Sequence, residues 1–476
     1  MTGRRLLRHP LRLLALLLPL AGCTVGPDYV RPDLQAPAGW RTPVERAASL
    51  GEIGWWQVFG DETLHGLIRT ALEENNDVRL AVARVLEARA QAGIARADRF
   101  PRLDGNASYQ RQRASTVSTV PLPSTVDPEQ DVFRTTLDLS FELDLWGRLR
   151  RANEAARADL LAGEENRRSV IVTLVGDVAQ GYFDLLELDR ELDIARRTLD
   201  SRLESLRIVR LRWDNGIISE LDLWRAEAEV ASARAQVPDL ERRIAETENR
   251  LSVLLGRNPG PIPRGRILTD QVALPEVPAG LPSSLLERRP DLRQAEQRLV
   301  AANARIGEAK AAYFPQVHLT GAFGVESIAL SDLFTGPARV WQFGPRITIP
   351  IFNAGKITNQ VRAAEARTEQ ALVQYQQAVQ QAFREVEDAL VGHRKVREIR
   401  PEREALVEAN RRTLEIADLR YRDGLSTYLD VLDAQRQLFS SEIELARTTR
   451  DQQTAVVQLY KALGGGWTPE GSVPAP

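Results

Sequence analysis

Between residues 133 and 143 the chain alternates, with Phe133, Thr135, Leu137, Leu139, Phe141 and Leu143 separated by Arg134, Thr136, Asp138, Ser140 and Glu142. A period of two with one apolar and one polar face predicts a β-strand. The same alternation returns at Trp341, Phe343, Ile347, Ile349 and Ile351, set between Gln342, Gly344, Arg346 and Thr348. Residues 103–113 and 316–326 supply weaker strand partners. After each strand pair the period lengthens. Ile171, Val178, Leu185, Leu192, Leu199, Leu206 and Trp213 hold one heptad position, which predicts coiled-coil packing. From residue 150 to 215 such a helix would run about 100 Å, and a returning helix follows over 221–255. The second half of the chain predicts the same pair over 358–423 and 429–463.

The two halves are copies of one unit. Gly66, Leu67, Leu72, Glu73 and Asp77 recur as Gly280, Leu281, Leu286, Glu287 and Asp291 at an offset of 214, which Phe100-Pro101 and Phe314-Pro315 keep. Beyond the strands the offset is 208: Gly147 matches Gly355, Leu211-Arg212 and Gly216 match Leu419-Arg420 and Gly424, and Leu255-Gly256 matches Leu463-Gly464. The six lost residues fall in the polar loop between strands, eighteen residues long at 114–131 and twelve at 327–338. Surface loops absorb such changes. The expected organisation is a signal segment 1–22, a leader 23–65, a first repeat 66–256, a linker 257–279, a second repeat 280–464 and a tail 465–476. Pro238 and Pro401 lie 22 and 23 residues from Gly216 and Gly424. Both are expected to break or kink their helices, at a height where leader, linker and tail could form a belt.

Amphipathic segments of about ten residues, paired across a long loop, are the pattern of transmembrane β-barrels. Two hairpins give only four strands, whereas a barrel needs about eight, and lipid does not tolerate open sheet edges. A barrel shared between chains is therefore expected. With 63 basic against 65 acidic side chains there is no basic field for nucleic acid. Four histidines far apart in sequence form no local metal motif, and a single cysteine excludes an intrachain disulfide. The chain has no Gly-x-Ser-x-Gly, no His-Glu-x-x-His and no phosphate loop, so neither an enzyme nor a cofactor is expected.

Arg4, Arg5, Arg8 and Arg12 precede the apolar residues 13–20, a stretch too short to span a bilayer and built as a secretory signal. It ends in Leu20-Ala21-Gly22-Cys23. This resembles the bacterial lipobox, which makes Cys23 the acylated first residue of the mature chain. Thr24 stands where an aspartate would retain a lipoprotein in the inner membrane, so the resemblance implies the outer membrane.

The duplicated strand-strand-helix-helix unit, the run Tyr421-Arg422-Asp423-Gly424-Leu425 continuing to Asp430-Val431-Leu432-Asp433-Ala434-Gln435, the ending Tyr460-Lys461-Ala462-Leu463-Gly464, and Trp55-Trp56 in the leader together resemble the TolC-like outer membrane factors. The similarity is greatest to their lipoprotein branch, the OprM/NodT-like members of tripartite efflux pumps. The resemblance implies a mixed α/β membrane protein and a homotrimer. Its twelve-stranded β-barrel, four strands per chain, would continue into a periplasmic α-helical barrel with an equatorial belt. It also implies an exit duct for drugs or other small toxic compounds, docked to a periplasmic adaptor (membrane fusion protein) and an inner-membrane transporter of the resistance-nodulation-division type. A type I secretion duct is the alternative within that reading. A structural coiled coil or an adaptor is the alternative outside it, although an adaptor would have one hairpin flanked by β-rich domains.

Ser219 with Asp222, and Thr427 with Asp430, have capping-box spacing just after the turn glycines. A purely local role is therefore open to Asp222 and Asp430, but not to Asp433. The resemblance assigns Asp430 and Asp433 to a ring of carboxylates around the closed periplasmic aperture, and Tyr421 to the links that hold it shut. Crowded carboxylates raise one another's pKa and attract cations. The chain departs from the family pattern at Ser426, where a basic residue would reach toward Asp222. Arg225 occupies in the first repeat the slot of Asp433 in the second, so an Arg225–Asp433 pair is the expected replacement. Gly216, Gly424 and Leu425 form the turns that the resemblance gives to the adaptor's helical tips, although glycine there also simply reverses the chain.

Overall fold

The computed structural model describes residues 24–34, 37–41, 59–115, 117, 123, 127–271 and 282–465. Cys23 and the signal segment, Trp55-Trp56, residues 272–281 and nearly all of the tail lie outside the described residues. The elements run α1 Glu62–Glu74, α2 Asn76–Ala97, β1 Arg102–Arg113, β2 Glu129–Leu143, α3 Arg148–Asp214, α4 Glu220–Leu254, α5 Pro282–Arg288, α6 Pro290–Ala311, β3 Gln316–Ser327, β4 Arg339–Thr348, α7 Lys356–Arg422 and α8 Tyr428–Ala462. Strands and long helices thus fall where the periods of two and seven place them.

The chain divides into two compact units. The first holds the described residues up to 33 with 85–163 and 295–375, and its centre is a four-stranded antiparallel sheet in the order β1-β2-β3-β4. Register lines up Leu103, Leu139, Gly321 and Phe343 in one row and Gly105, Leu137, Phe323 and Trp341 in the next. The opposite face carries Asp104, Asp138 and Gln342, and further along Glu142, His318 and Arg346. Side chains alternate across a strand, so all four strands present their apolar residues together. Trp341 and Phe343 are 78% and 65% exposed. Where the sheet gives way to helix, Trp146 stacks on Phe314 at 4.7 Å between ring centroids and donates to the Pro315 carbonyl at 2.8 Å. The leader is tied down here: Val25 donates to the Trp146 carbonyl at 3.0 Å, and buried Arg151 meets Asp28 at 2.6 Å.

The second unit holds the described residues between 34 and 84 with 164–294 and 376–465. Its core joins Val178, Tyr182 and Leu185 of α3 with Val386 of α7, Val457 of α8 and Leu64 of α1. Asp61 gathers leader and linker on this core. Its carboxylate caps α1 through the Thr63 amide at 2.8 Å and accepts from Tyr182 at 2.9 Å and Gln271 at 3.0 Å. Burial alone would raise its pKa, but these hydrogen bonds hold it below the ordinary carboxylate value.

At the base of each helical hairpin the two repeats repeat a contact as well as a sequence. Asn75 donates to the Leu254 carbonyl at 2.9 Å at the end of α4, and Arg289 donates to the Ala462 carbonyl at 3.0 Å at the end of α8. Both supply a donor to a helix C-terminus that has run out of amides. Gly256 follows at φ +72°, and a Cβ there would sit 2.2 Å from the Glu74 carbonyl oxygen.

Of the break or kink expected at Pro238 and Pro401, the break does not occur: Pro238 lies inside α4 and Pro401 inside α7. An interior proline costs about 3 kcal/mol. In α4 the packing of Val237 and Leu240 with Leu188 and Ala195 offsets that cost.

Candidate functional site: the paired helical tips

The turns joining α3 to α4 and α7 to α8 share one hydrogen-bond pattern. Gly216 donates to the Trp213 carbonyl at 2.8 Å and Ile217 to Arg212 at 2.9 Å, as Gly424 does to Tyr421 at 3.0 Å and Leu425 to Arg420 at 2.8 Å. This is the Schellman closure of a helix. It needs a left-handed residue, and both glycines supply one, at φ +71° and +76°. Leu425 is 68% exposed beside its glycine.

The candidate acids separate by what they touch. Asp430 accepts from the Thr427 amide and hydroxyl, each at 2.9 Å, and so caps α8. Asp222 accepts from the Ser219 hydroxyl at 3.0 Å and from Arg225 at 3.4 Å. Asp433 is exposed and accepts from Gln437 at 2.6 Å, one turn along its own helix. Within the chain the expected Arg225–Asp433 pair is therefore not formed. Arg225 takes the carboxylate three residues earlier on its own helical face, where side chains are neighbours.

Tyr421 is only 5% exposed, in a cluster with Leu206, Val209, Ala226, Val230, Tyr428 and Val431. Its ring lies 5.7 Å from that of Tyr428. Burial pushes the Tyr428 hydroxyl up to about 12, with Tyr421 adding to the shift. Burial also raises Tyr421, against the pull of Arg212.

Arg212 was visible in the sequence only as a repeated letter, and it makes the main crossing contact of the tips. Its guanidinium carbon lies 4.4 Å from the centroid of the Tyr421 ring, and it donates to the carbonyls of Tyr421 and Arg422, both at 3.0 Å. These carbonyls end α7, where the helix dipole favours a cation. One hairpin thereby caps the other. Farther along, Glu229 of α4 is buried and accepts from Arg436 of α8 at 2.9 Å.

Also unmarked by sequence is a cleft of about 680 Å³ lined by Asp184, Glu187, Arg243, Arg447 and Arg450. Desolvation pushes the Glu187 carboxyl up to about 7. The Arg450 charge opposes this, and the neighbouring Glu191 and Asp184 reinforce it. Among the described residues no group of His, Cys, Asp or Glu is arranged to hold a metal ion.

A sequence model described as outer membrane efflux protein matches residues 67–257 and 281–465. The chain belongs to that family. The solvent efflux pump outer membrane protein SrpC of Pseudomonas putida is 40% identical over 461 residues, covering 95% of this chain and 97% of its own. The cation efflux system protein CusC of Escherichia coli is 37% identical over 455 residues, with 94% and 97% covered. Among solved structures, the outer-membrane channel OprN superposes with a TM-score of 0.86 at 33% identity, covering 94% of this chain and all of that one. The open state of the MtrE outer membrane channel of Neisseria gonorrhoeae gives 0.84 at 33%, with 93% and 98% covered. The resemblance to TolC-like factors is thereby borne out. As a member of the outer membrane efflux protein family the chain is an outer membrane exit duct, its sheet belonging to the barrel and its long hairpins to the periplasmic helical extension.

Proposed function

We propose that three copies close one twelve-stranded barrel in the outer membrane, anchored by acylation at Cys23. The duct carries drugs or other small toxic compounds handed on by a periplasmic adaptor and a transporter of the resistance-nodulation-division type. It is a conduit and not a catalyst. The observation that supports this reading best is the sheet: two free edges and an exposed apolar face on four strands. Such a sheet cannot stand in lipid until its edges are paired.

At the tips, Asp433 is the carboxylate free to face a narrow axis, and Asp430 stands one turn before it while capping α8. Tyr421, under Arg212 of the other hairpin, holds the two hairpins in register around that aperture, and the Asp222–Arg225 pair stands beside it at the start of α4. Gly216, Gly424 and Leu425 are offered to the adaptor. Six carboxylates from three chains would favour cations in the closed pore.

Planar-bilayer conductance of wild type and Asp430→Ala/Asp433→Ala tests channel and gate together. Small, cation-preferring conductance that rises several-fold in the variant is expected. Equal conductance would remove the carboxylate gate. No conductance from a folded, detergent-stable oligomer would favour a structural coiled coil.

A further inference from the structure

The heptad that buries Val178, Leu185 and Leu206 ends on Trp213, yet Trp213 is 41% exposed. Its counterpart in the second repeat, 208 residues on, is Tyr421, 5% exposed beneath Arg212. The counterpart of Arg212 is Arg420. That side chain is itself exposed and, among the described residues, reaches only the Leu425 carbonyl of its own turn, at 3.5 Å. One arginine-aromatic pair of the duplication is satisfied inside the chain; the other leaves both members open.

The offset carries contacts faithfully elsewhere on these hairpins. Arg202 donates to the Glu229 carbonyl at 3.0 Å, and 208 residues later Asn410 donates to the Gln437 carbonyl at 3.3 Å. The two Schellman turns match bond for bond. If hairpins alternate around a closed ring, the second hairpin of one copy meets the first hairpin of the next as the first meets the second within a copy.

We propose that Arg420 caps α3 of the adjacent copy, its guanidinium over the ring of the partner subunit's Trp213 and donating to the carbonyls of the partner's Trp213 and the partner's Asp214. This rests on the ring of copies proposed above. The occupant is a second copy because the surface needed is already built in this sequence. It consists of a helix C-terminus with two carbonyls and an aromatic face, and the matching cation stands on the other hairpin. Arg212 and Arg420 then form alternating rungs around the tips, one within each chain and one between chains. Closure of the aperture is linked through them to trimer contacts.

Cysteine pairs separate the two rungs. Cys23 is the chain's only cysteine and is acylated in this reading, so introduced thiols report alone. With a short bismaleimide, Arg420→Cys/Trp213→Cys is expected to run as covalent dimer and trimer on denaturing gels, whereas Arg212→Cys/Tyr421→Cys stays at monomer mobility with both thiols consumed. A preparation of trimeric native mass in which the first pair stays monomeric overturns the inference and leaves the channel reading intact. A native mass of one chain overturns both.

Conductance supplies a second measurement without cysteines. Arg420→Ala and Trp213→Ala should each raise closed-state conductance on the order of tenfold, as loss of a charge-assisted contact allows, and the double variant should rise no further. Trp213→Phe, which keeps an aromatic face, should stay near wild type. Additive effects of the two alanine variants would place the residues in separate contacts and overturn the pairing.

Discussion

The base and the tip of the helical hairpins solve the same problem, a helix C-terminus with unsatisfied carbonyls, in different ways. At the base each repeat closes on itself. Asn75 serves Leu254, Arg289 serves Ala462, and Gly256 and Gly464 follow in left-handed conformation. At the tip the repeats depart: Arg212 crosses to the carbonyls that end α7, while Arg420 folds back on its own turn. A duplicated unit can complete its base alone, but its tip is complete only where another hairpin stands beside it. Contacts complete within one repeat are therefore found at the base, and contacts that need a second hairpin at the tip.

The sharpest way to break that comparison is at the base. Arg289 is nearly buried and ties the Ala462 carbonyl to Asp291 and Glu385, each at 2.7 Å. Arg289→Ala should destabilise the fold by about 2–3 kcal/mol, because it strands the buried Ala462 carbonyl while Asp291 and Glu385 keep part of their solvation. A fall in the denaturation midpoint no larger than that of an exposed arginine variant would contradict it. Next come the glycines. Gly256→Ala should cost at least about 2 kcal/mol, since left-handed strain adds to a 2.2 Å clash with the Glu74 carbonyl. Gly216→Ala should cost about 1–2 kcal/mol, because nothing lies within 4 Å of its Cβ position. Equal losses in thermal melts would erase the distinction between base and tip.

Between the two regions Glu187 supplies a pH dependence. Its pKa is raised to about 7 in the folded chain, so the folded state holds the proton more tightly than the unfolded one. Stability should fall as pH rises from the ordinary glutamate range toward 7 and level off above it, by on the order of 1–2 kcal/mol. Glu187→Gln should flatten that slope in melts taken between about pH 5 and 8; a slope unchanged in the variant would assign it to another group. An effect no larger is expected at Arg212. Arg212→Ala removes two hydrogen bonds and a ring contact at a half-buried site and should cost about 1–2 kcal/mol of stability. Closed-state conductance should nevertheless rise. A variant that melts early but stays shut would make Arg212 purely structural.

Much of the architecture was legible. Strands at residues 133 and 341 follow from alternation, the long helices from an unbroken heptad, and the duplication from matched glycines and arginines. Asp430 was legible as a cap because a capping box is local. What escaped were contacts without a local signature. Within the chain Arg225 does not reach Asp433, because an equivalence in sequence does not decide which carboxylate lies nearer, and Asp222 is one turn away. Of the break or kink that proline allows, the break did not occur at Pro238, where packing carries α4 through.

By itself the sequence determined the unit's amphipathic strands, heptads and caps, which depend on residues two to seven positions apart, and its repetition, which shows as a constant offset of matched residues. Only the tertiary structure decided that Arg212 crosses to Tyr421 while Arg420 does not cross, that Glu187 is buried among charges, and that Trp213 ends its heptad uncovered. Those outcomes depend on which helix faces meet some two hundred residues apart, and identical local patterns in the two repeats are satisfied by different neighbours.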